Sequence, residues 1–126
     1  MTAARRFPTA TPEELANAKI LGVRAGAEHR YTGVWVVVVQ GRAFVRSWND
    51  KPSGWYRAFL AEPRGQIHFA DHVERLVRAV PVKSARLCGA MSAALAEKYD
   101  SKASKKWVDG FASDERMAHT LELVPR

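Results

Sequence analysis

The chain has 126 residues, 47% of them hydrophobic and 26% charged, the size and composition of one globular domain with its own core rather than of a disordered or fibrous chain. Twenty basic against 13 acidic residues give a net charge of +7, which biases the protein towards anionic partners. A single cysteine, Cys88, excludes an internal disulfide, and the longest apolar run, Val34 to Val39, is too short to span a bilayer. The expectation is a cytoplasmic protein without a membrane anchor.

Residues 1–10 carry no periodicity and are expected to be a mobile tail, leaving 11–126 as a single domain. At Thr11 the text TPEEL reads as a helix start, with Thr as cap, Pro at the first helical position and Glu14 three residues after the cap; the helix runs to about Asn17. Ala18 to Ala25 reads as a strand, and Gly26 to Gly33 as a polar loop containing Glu28, His29 and Arg30. Val34 to Val39 is β-branched and does not alternate, which predicts a strand covered on both faces.

Gln40-Gly41 then turns the chain into a second strand, Ala43 to Trp48. Ala43, Val45 and Ser47 lie on one face of that strand and Phe44, Arg46 and Trp48 on the other. A two-residue turn places Trp35 opposite Arg46 and Val37 opposite Phe44. Ser53 is a natural cap for a short helix, Gly54 to Ala61, that stops at Glu62-Pro63 and carries Trp55 and Tyr56 in its first turn.

Gln66 to Ala70 and Val73 to Val82 read as a hairpin turning near Asp71-His72, with His68 facing Arg75 if that turn has two residues. Ser84 opens an amphipathic helix on which Leu87, Cys88, Met91, Ala94, Leu95 and Tyr99 share a face. Ser101 to Lys106 is a basic linker or short helix, Trp107 to Phe111 a covering segment, and Met117 to Val124 a last strand stopped by Pro125. Tight hairpins dominate, so the predicted fold is α+β: a mainly antiparallel, six-stranded split β-barrel with flanking helices.

Chemistry concentrates where the second strand meets the following helix. Arg46, Ser47, Ser53, Trp55 and Tyr56 gather there: a helix start offers free N–H groups to an anion, an arginine adds a two-pronged contact, and an aromatic covers a flat ring. A packing reading stands beside this one, in which Arg46 stacks on Trp35 and Trp48 while Trp55 and Tyr56 plug the barrel end. His68 and His72 lie more than ~12 Å apart if both belong to strand or turn, which argues against a metal pair. Cys88 reads as core. Basic residues are dispersed apart from Lys102, Lys105 and Lys106, with no charge-and-aromatic stripe and no reading module, which argues against nucleic acid.

The WVVVV strand, the tight turn, the FVRS strand, the Trp-Tyr pair opening a helix, the Lys98-Tyr99 helix end and the closing LELVPR resemble a bacterial family of unknown function. That family is similar to the flavin-binding split-barrel proteins, among them the deazaflavin-dependent nitroreductases. The resemblance implies a homodimer binding FMN or a deazaflavin near the subunit interface, with activity as an oxidoreductase on a small organic substrate. It also implies phosphate contacts from a basic loop after the first strand. Here that text is VRAGAEHRYTG, which keeps Arg24 and Arg30 while its Ser-Gly and consecutive Thr positions differ. Arg46 and Ser47 border the implied cofactor, and Tyr56 or His68 is the candidate proton donor. Two alternatives stay open: a cofactor-free barrel that binds a small anionic ligand or a protein partner, and a cofactor-independent enzyme using the same groove.

Overall fold

In a computed structural model the described residues are 10–26, 28, 30–48, 54–69, 73–111 and 113–126; the expected N-terminal tail and the candidate residues Ser53 and His72 lie outside them. The order is α1 (Ala10–Asn17), β1 (Leu21–Ala25), β2 (Thr32–Val34), β3 (Val36–Val39), β4 (Arg42–Arg46), α2 (Trp55–Ala61), β5 (Arg64–Phe69) and β6 (Val73–Pro81), then α3 (Ala85–Lys98), α4 (Lys102–Phe111), α5 (Asp114–Met117) and β7 (Thr120–Pro125). The seven strands form one sheet in the order β2-β1-β5-β6-β7-β4-β3, with every neighbouring pair antiparallel.

β2 and β3 are the two edges of this sheet, yet only Trp35 separates them in the chain. A single extended run therefore serves both edges and brings them together, which nearly closes the sheet into a barrel. The expected six strands become seven because Thr32 and Gly33, read as loop, and Val34, read as the start of the next strand, form a separate strand that pairs with β1 through Leu21 to Val34 and Val23 to Thr32. The apolar run gave no sign of the break, because apolarity does not report which neighbour a strand has.

The β3–β4 hairpin has the predicted register, with Val37 opposite Phe44 and Val36 opposite Val45. Its two-residue turn is built from Gln40 at φ 54° and Gly41 at φ 74°, the left-handed pair that matches strand twist. The β5–β6 register differs from expectation by one residue: His68 faces Glu74, not Arg75. Three residues, not two, separate Phe69 from Val73, and an odd insertion shifts every partner.

Both faces of β3 and β4 are covered, which explains the missing alternation. Inside the barrel Val36, Ala43 and Val45 join Leu21, Val23, Ile67, Val77, Leu121 and Leu123, with Leu15 of α1 and Tyr56 and Phe59 of α2 added to that cluster. Outside, Val37 and Phe44 pack with Met91, Leu95 and Tyr99 from α3 and its end, and with Val108 of α4. Ser84 caps α3 as expected, its side chain accepting from the Leu87 N–H at 3.2 Å. Ala10, two residues before Pro12, already lies in α1, and the segment read as linker plus cover is one helix, α4. β1 starts at Leu21 instead of Ala18, β4 stops at Arg46 instead of Trp48, and β7 starts at Thr120 instead of Met117.

Candidate functional site

The chain has four tryptophans, and all of them line one cavity of about 380 Å³: Trp35, Trp48, Trp55 and Trp107, together with Phe111 and Arg46. They arrive from separate places. Trp35 is the residue between the two sheet edges, Trp48 follows β4, Trp55 opens α2, and Trp107 sits on α4 one turn before Phe111.

Ring contacts fix most of this wall. Trp35 stacks on Tyr99 with centroids 4.1 Å apart and planes 5° from parallel. Trp48 meets Trp107 edge-on at 4.8 Å and Phe111 at 5.0 Å, while Phe111 also reaches Trp35 at 5.7 Å. Such pairs are worth about 0.5–1.5 kcal/mol each beyond the area they bury, so the wall is held by its own contacts. At Gly110 a β-carbon would stand 2.4 Å from Trp48 Cη2. Only glycine lets α4 lie this close to the indole.

The end of α3 holds the place where the sheet edges meet. The Tyr99 hydroxyl accepts from the Val36 N–H at 3.2 Å and donates to the Lys19 carbonyl at 2.7 Å. Lys98 Nζ donates to the carbonyls of Val36 at 2.6 Å and Leu15 at 3.2 Å, and burial pushes its pKa down to about 8. The pair therefore satisfies the backbone N–H and carbonyl of Val36, next to Trp35, and ties them to the carbonyls of Leu15 and Lys19, which precede β1. In the sequence these two residues stand only as a helix end; their role depends on contacts more than 60 residues away in the chain.

Arg46 is 3% exposed. Its Nε donates to Thr120 Oγ1 at 2.8 Å, Nη1 to Ser92 Oγ at 2.8 Å and to the Phe111 carbonyl at 2.9 Å, and Nη2 to the Cys88 carbonyl at 3.1 Å. These acceptors come from β7, α3 and α4, so the guanidinium ties the helical cover to the sheet. Burial pushes its pKa below the usual arginine value. No carboxylate among the described residues stands at ion-pair distance from it. By contrast Arg42, on the same strand, pairs with the buried Glu122 through two bonds of 2.9 and 2.7 Å. The stacking of Arg46 on Trp35 and Trp48 is replaced by these hydrogen bonds; the cation seated over Trp48 is Arg116, at 5.4 Å.

A second hollow, of about 200 Å³, is lined by Arg24, Arg30, Thr32, Gly54, Trp55 and Ala58. Trp55 belongs to both cavities, so the two basic residues expected after the first strand adjoin the tryptophan cavity. Arg24 is held in place by Gln66, which accepts from its Nε at 2.9 Å and also from Nη2, and lies over the Tyr31 ring at 4.4 Å. The N-cap of α2 is Gly54, which has no side chain to cap with; Ser53, the expected cap, lies outside the described residues.

The remaining candidates are dispersed. Ser47 is buried, with its N–H donating to the His119 carbonyl at 3.1 Å. Tyr56 packs into the barrel interior with its ring 4.8 Å from that of His119, as the plug reading expects. His68 lies 5.5 Å from the Tyr31 ring. None of the three lines either cavity. Lys102, Lys105 and Lys106 are exposed on α4, with Lys105 paired to Asp109 at 3.3 Å. Among the described residues no group of three or more His, Cys, Asp or Glu side chains is placed to hold a metal, and no helix is long and apolar enough to cross a membrane.

This is an α+β protein with a nearly closed antiparallel barrel and an aromatic cavity at its seam. Residues 13–123 match the family described as an uncharacterized protein conserved in bacteria, DUF2255, and the chain belongs to that family. No curated protein matches it by sequence. Among solved structures it is similar to the conserved hypothetical protein Rv2991 from Mycobacterium tuberculosis, at TM-score 0.62 and 14% identity over 100% of this chain and 85% of that one. A putative general stress protein 26 from Jannaschia sp. CCS1 aligns at TM-score 0.62 and 11% identity, over 90% of this chain and 70% of that one. At these identities the likeness concerns the fold.

Proposed function

We propose that the four-tryptophan cavity binds the ring system of FMN or a deazaflavin, with the adjoining Arg24 and Arg30 hollow taking the phosphate-bearing tail. The protein is then a flavin- or deazaflavin-dependent oxidoreductase of a small organic substrate. The observation that carries this reading is the convergence of every tryptophan of the chain on one cavity.

The residues present fit the group. Flat aromatic walls suit a flat ring, a volume of about 380 Å³ falls within the roughly 300–1,000 Å³ of ordinary ligand sites, and two arginines suit a phosphate. The bound ring supplies the redox chemistry, while the chain orients it and excludes water. Tyr56 and His68 lie away from the cavity lining, so the reading assigns neither a proton transfer. Ile20 and Trp107, 56% and 41% exposed at the cavity rim, are where a second copy of the chain would complete the site, and light scattering reports whether a dimer forms.

The test is a titration of the purified protein with FMN and with the deazaflavin cofactor, followed by tryptophan fluorescence and visible absorbance. Saturable quenching is expected. Absence of binding up to about 1 mM, where less than about 4 kcal/mol of affinity would remain, overturns the reading.

A further inference from the structure

We infer that the end of the ligand held among the tryptophans is itself anionic, with Arg46 as its counter-charge, so that the cavity selects planar aromatic anions over neutral molecules of the same shape. This inference rests on the reading of the cavity as a ligand site and adds the chemical class of what enters it.

Arg46 combines three properties. It is buried to 3% exposure, it lines the cavity, and it lacks a carboxylate partner among the described residues. A guanidinium does not escape burial by losing its proton, and a buried cation without an opposite charge is costly. Four of its N–H groups are spent on neutral acceptors, namely Thr120 Oγ1, Ser92 Oγ and two backbone carbonyls. A guanidinium has five, and beside these four bonds its remaining side-chain contact is the Cys88 thiol, not a carboxylate.

Four residues earlier on the same strand, Arg42 shows the usual solution: a bidentate carboxylate from Glu122. The chain thus neutralises the half-buried arginine of β4 internally and leaves the fully buried one facing an aromatic cavity. Aromatic walls accept any flat ring. A fixed cation that is itself buried adds a charge requirement, and its attraction is stronger in that setting than in open water. A ring bearing a carboxylate, an ionised hydroxyl or an ionised imide supplies the missing charge.

The experiment compares naphthalene-2-carboxylate with naphthalene-2-carboxamide on the intact wild-type chain at pH 7.5, reading dissociation constants from tryptophan quenching, with FMN titrated in parallel. The carboxylate is expected to bind at least about tenfold more tightly, the smallest factor expected of a charge-assisted hydrogen bond. Arg46→Lys should keep a preference for the anion. Arg46→Gln, where near-UV circular dichroism shows it folded, should bring the two probes to within about threefold. Lys102→Gln, exposed on α4, should leave the preference unchanged. Equal binding of the two probes, or FMN binding without carboxylate binding, overturns the inference and leaves the ligand site standing. A preference that persists in folded Arg46→Gln overturns the assignment to Arg46. Failure of FMN and both probes to bind overturns the inference together with the site.

Discussion

Gly110→Ala is a single-methyl change that tests how the aromatic wall is assembled. The new Cβ would lie 2.4 Å from Trp48 Cη2 and 2.7 Å from Cζ3, whereas carbon atoms rest at roughly 3.5–4.0 Å, so the indole or α4 must move by about 1–1.5 Å. Trp48 has little freedom to move, because Trp107, Phe111 and Arg116 pack around it at 4.8, 5.0 and 5.4 Å. Overpacking of this kind costs about 1–3 kcal/mol. Against it stands the better helix propensity of alanine, about 1 kcal/mol in a helix interior and less here, one residue from the end of α4. The balance is a destabilisation of about 0–2 kcal/mol. Urea unfolding followed by far-UV circular dichroism should show a lower midpoint at unchanged slope. FMN affinity should fall by more than stability does, because the displaced group is cavity wall and not core. A variant stabilised by about 1 kcal/mol with FMN affinity intact would refute the close approach of α4 to Trp48.

Tyr99→Phe keeps the stack on Trp35 and removes the hydroxyl that bridges Val36 and Lys19; it should cost about 1–3 kcal/mol in urea unfolding, the range for a buried partner left unsatisfied. For Lys98 the sign follows from its depressed pKa, about 8 against the ordinary lysine value of 10.5. Between these values the unfolded chain binds more protons, so stability rises with pH. Wild-type stability measured against Lys98→Met should therefore climb from about pH 8 to about pH 10.5, and a difference that falls over that window would contradict the burial of the amine. Arg42→Met strips the bidentate partner from Glu122, which is 2% exposed; thermal unfolding should report a loss of up to about 3–5 kcal/mol.

Local signals made much of the frame readable. The two-residue Gln40-Gly41 turn fixed the β3–β4 register, and Ser84 with the spacing of Cys88, Met91 and Leu95 located α3. What escaped was non-local. Thr32–Val34 became a strand only because β1 offers it an edge, and nothing in the text around Trp35 states that the chain passes there from one sheet edge to the other. The His68 partner was missed because register depends on how many residues the turn consumes.

The site divides in the same way. Arg46 and Trp55 stand out from their local setting and Arg24 and Arg30 from the family resemblance, and the structure puts the four around two adjoining cavities. Trp48 and Trp107 were assigned to packing and covering, since their convergence needs the full path of α4. The contrast between a paired Arg42 and an Arg46 without a carboxylate is likewise tertiary, because it rests on where Glu122 falls along β7.

The central claim, that the four tryptophans form one ligand site, is tested most directly by labelling the protein with 5-fluorotryptophan and titrating FMN while recording the fluorine spectrum. Four resonances are expected, and all four should shift along a single saturation curve with one dissociation constant, in a 1:1 ratio per chain. Saturable FMN binding that leaves Trp35, Trp48 and Trp107 unmoved would place the cofactor elsewhere and contradict the account.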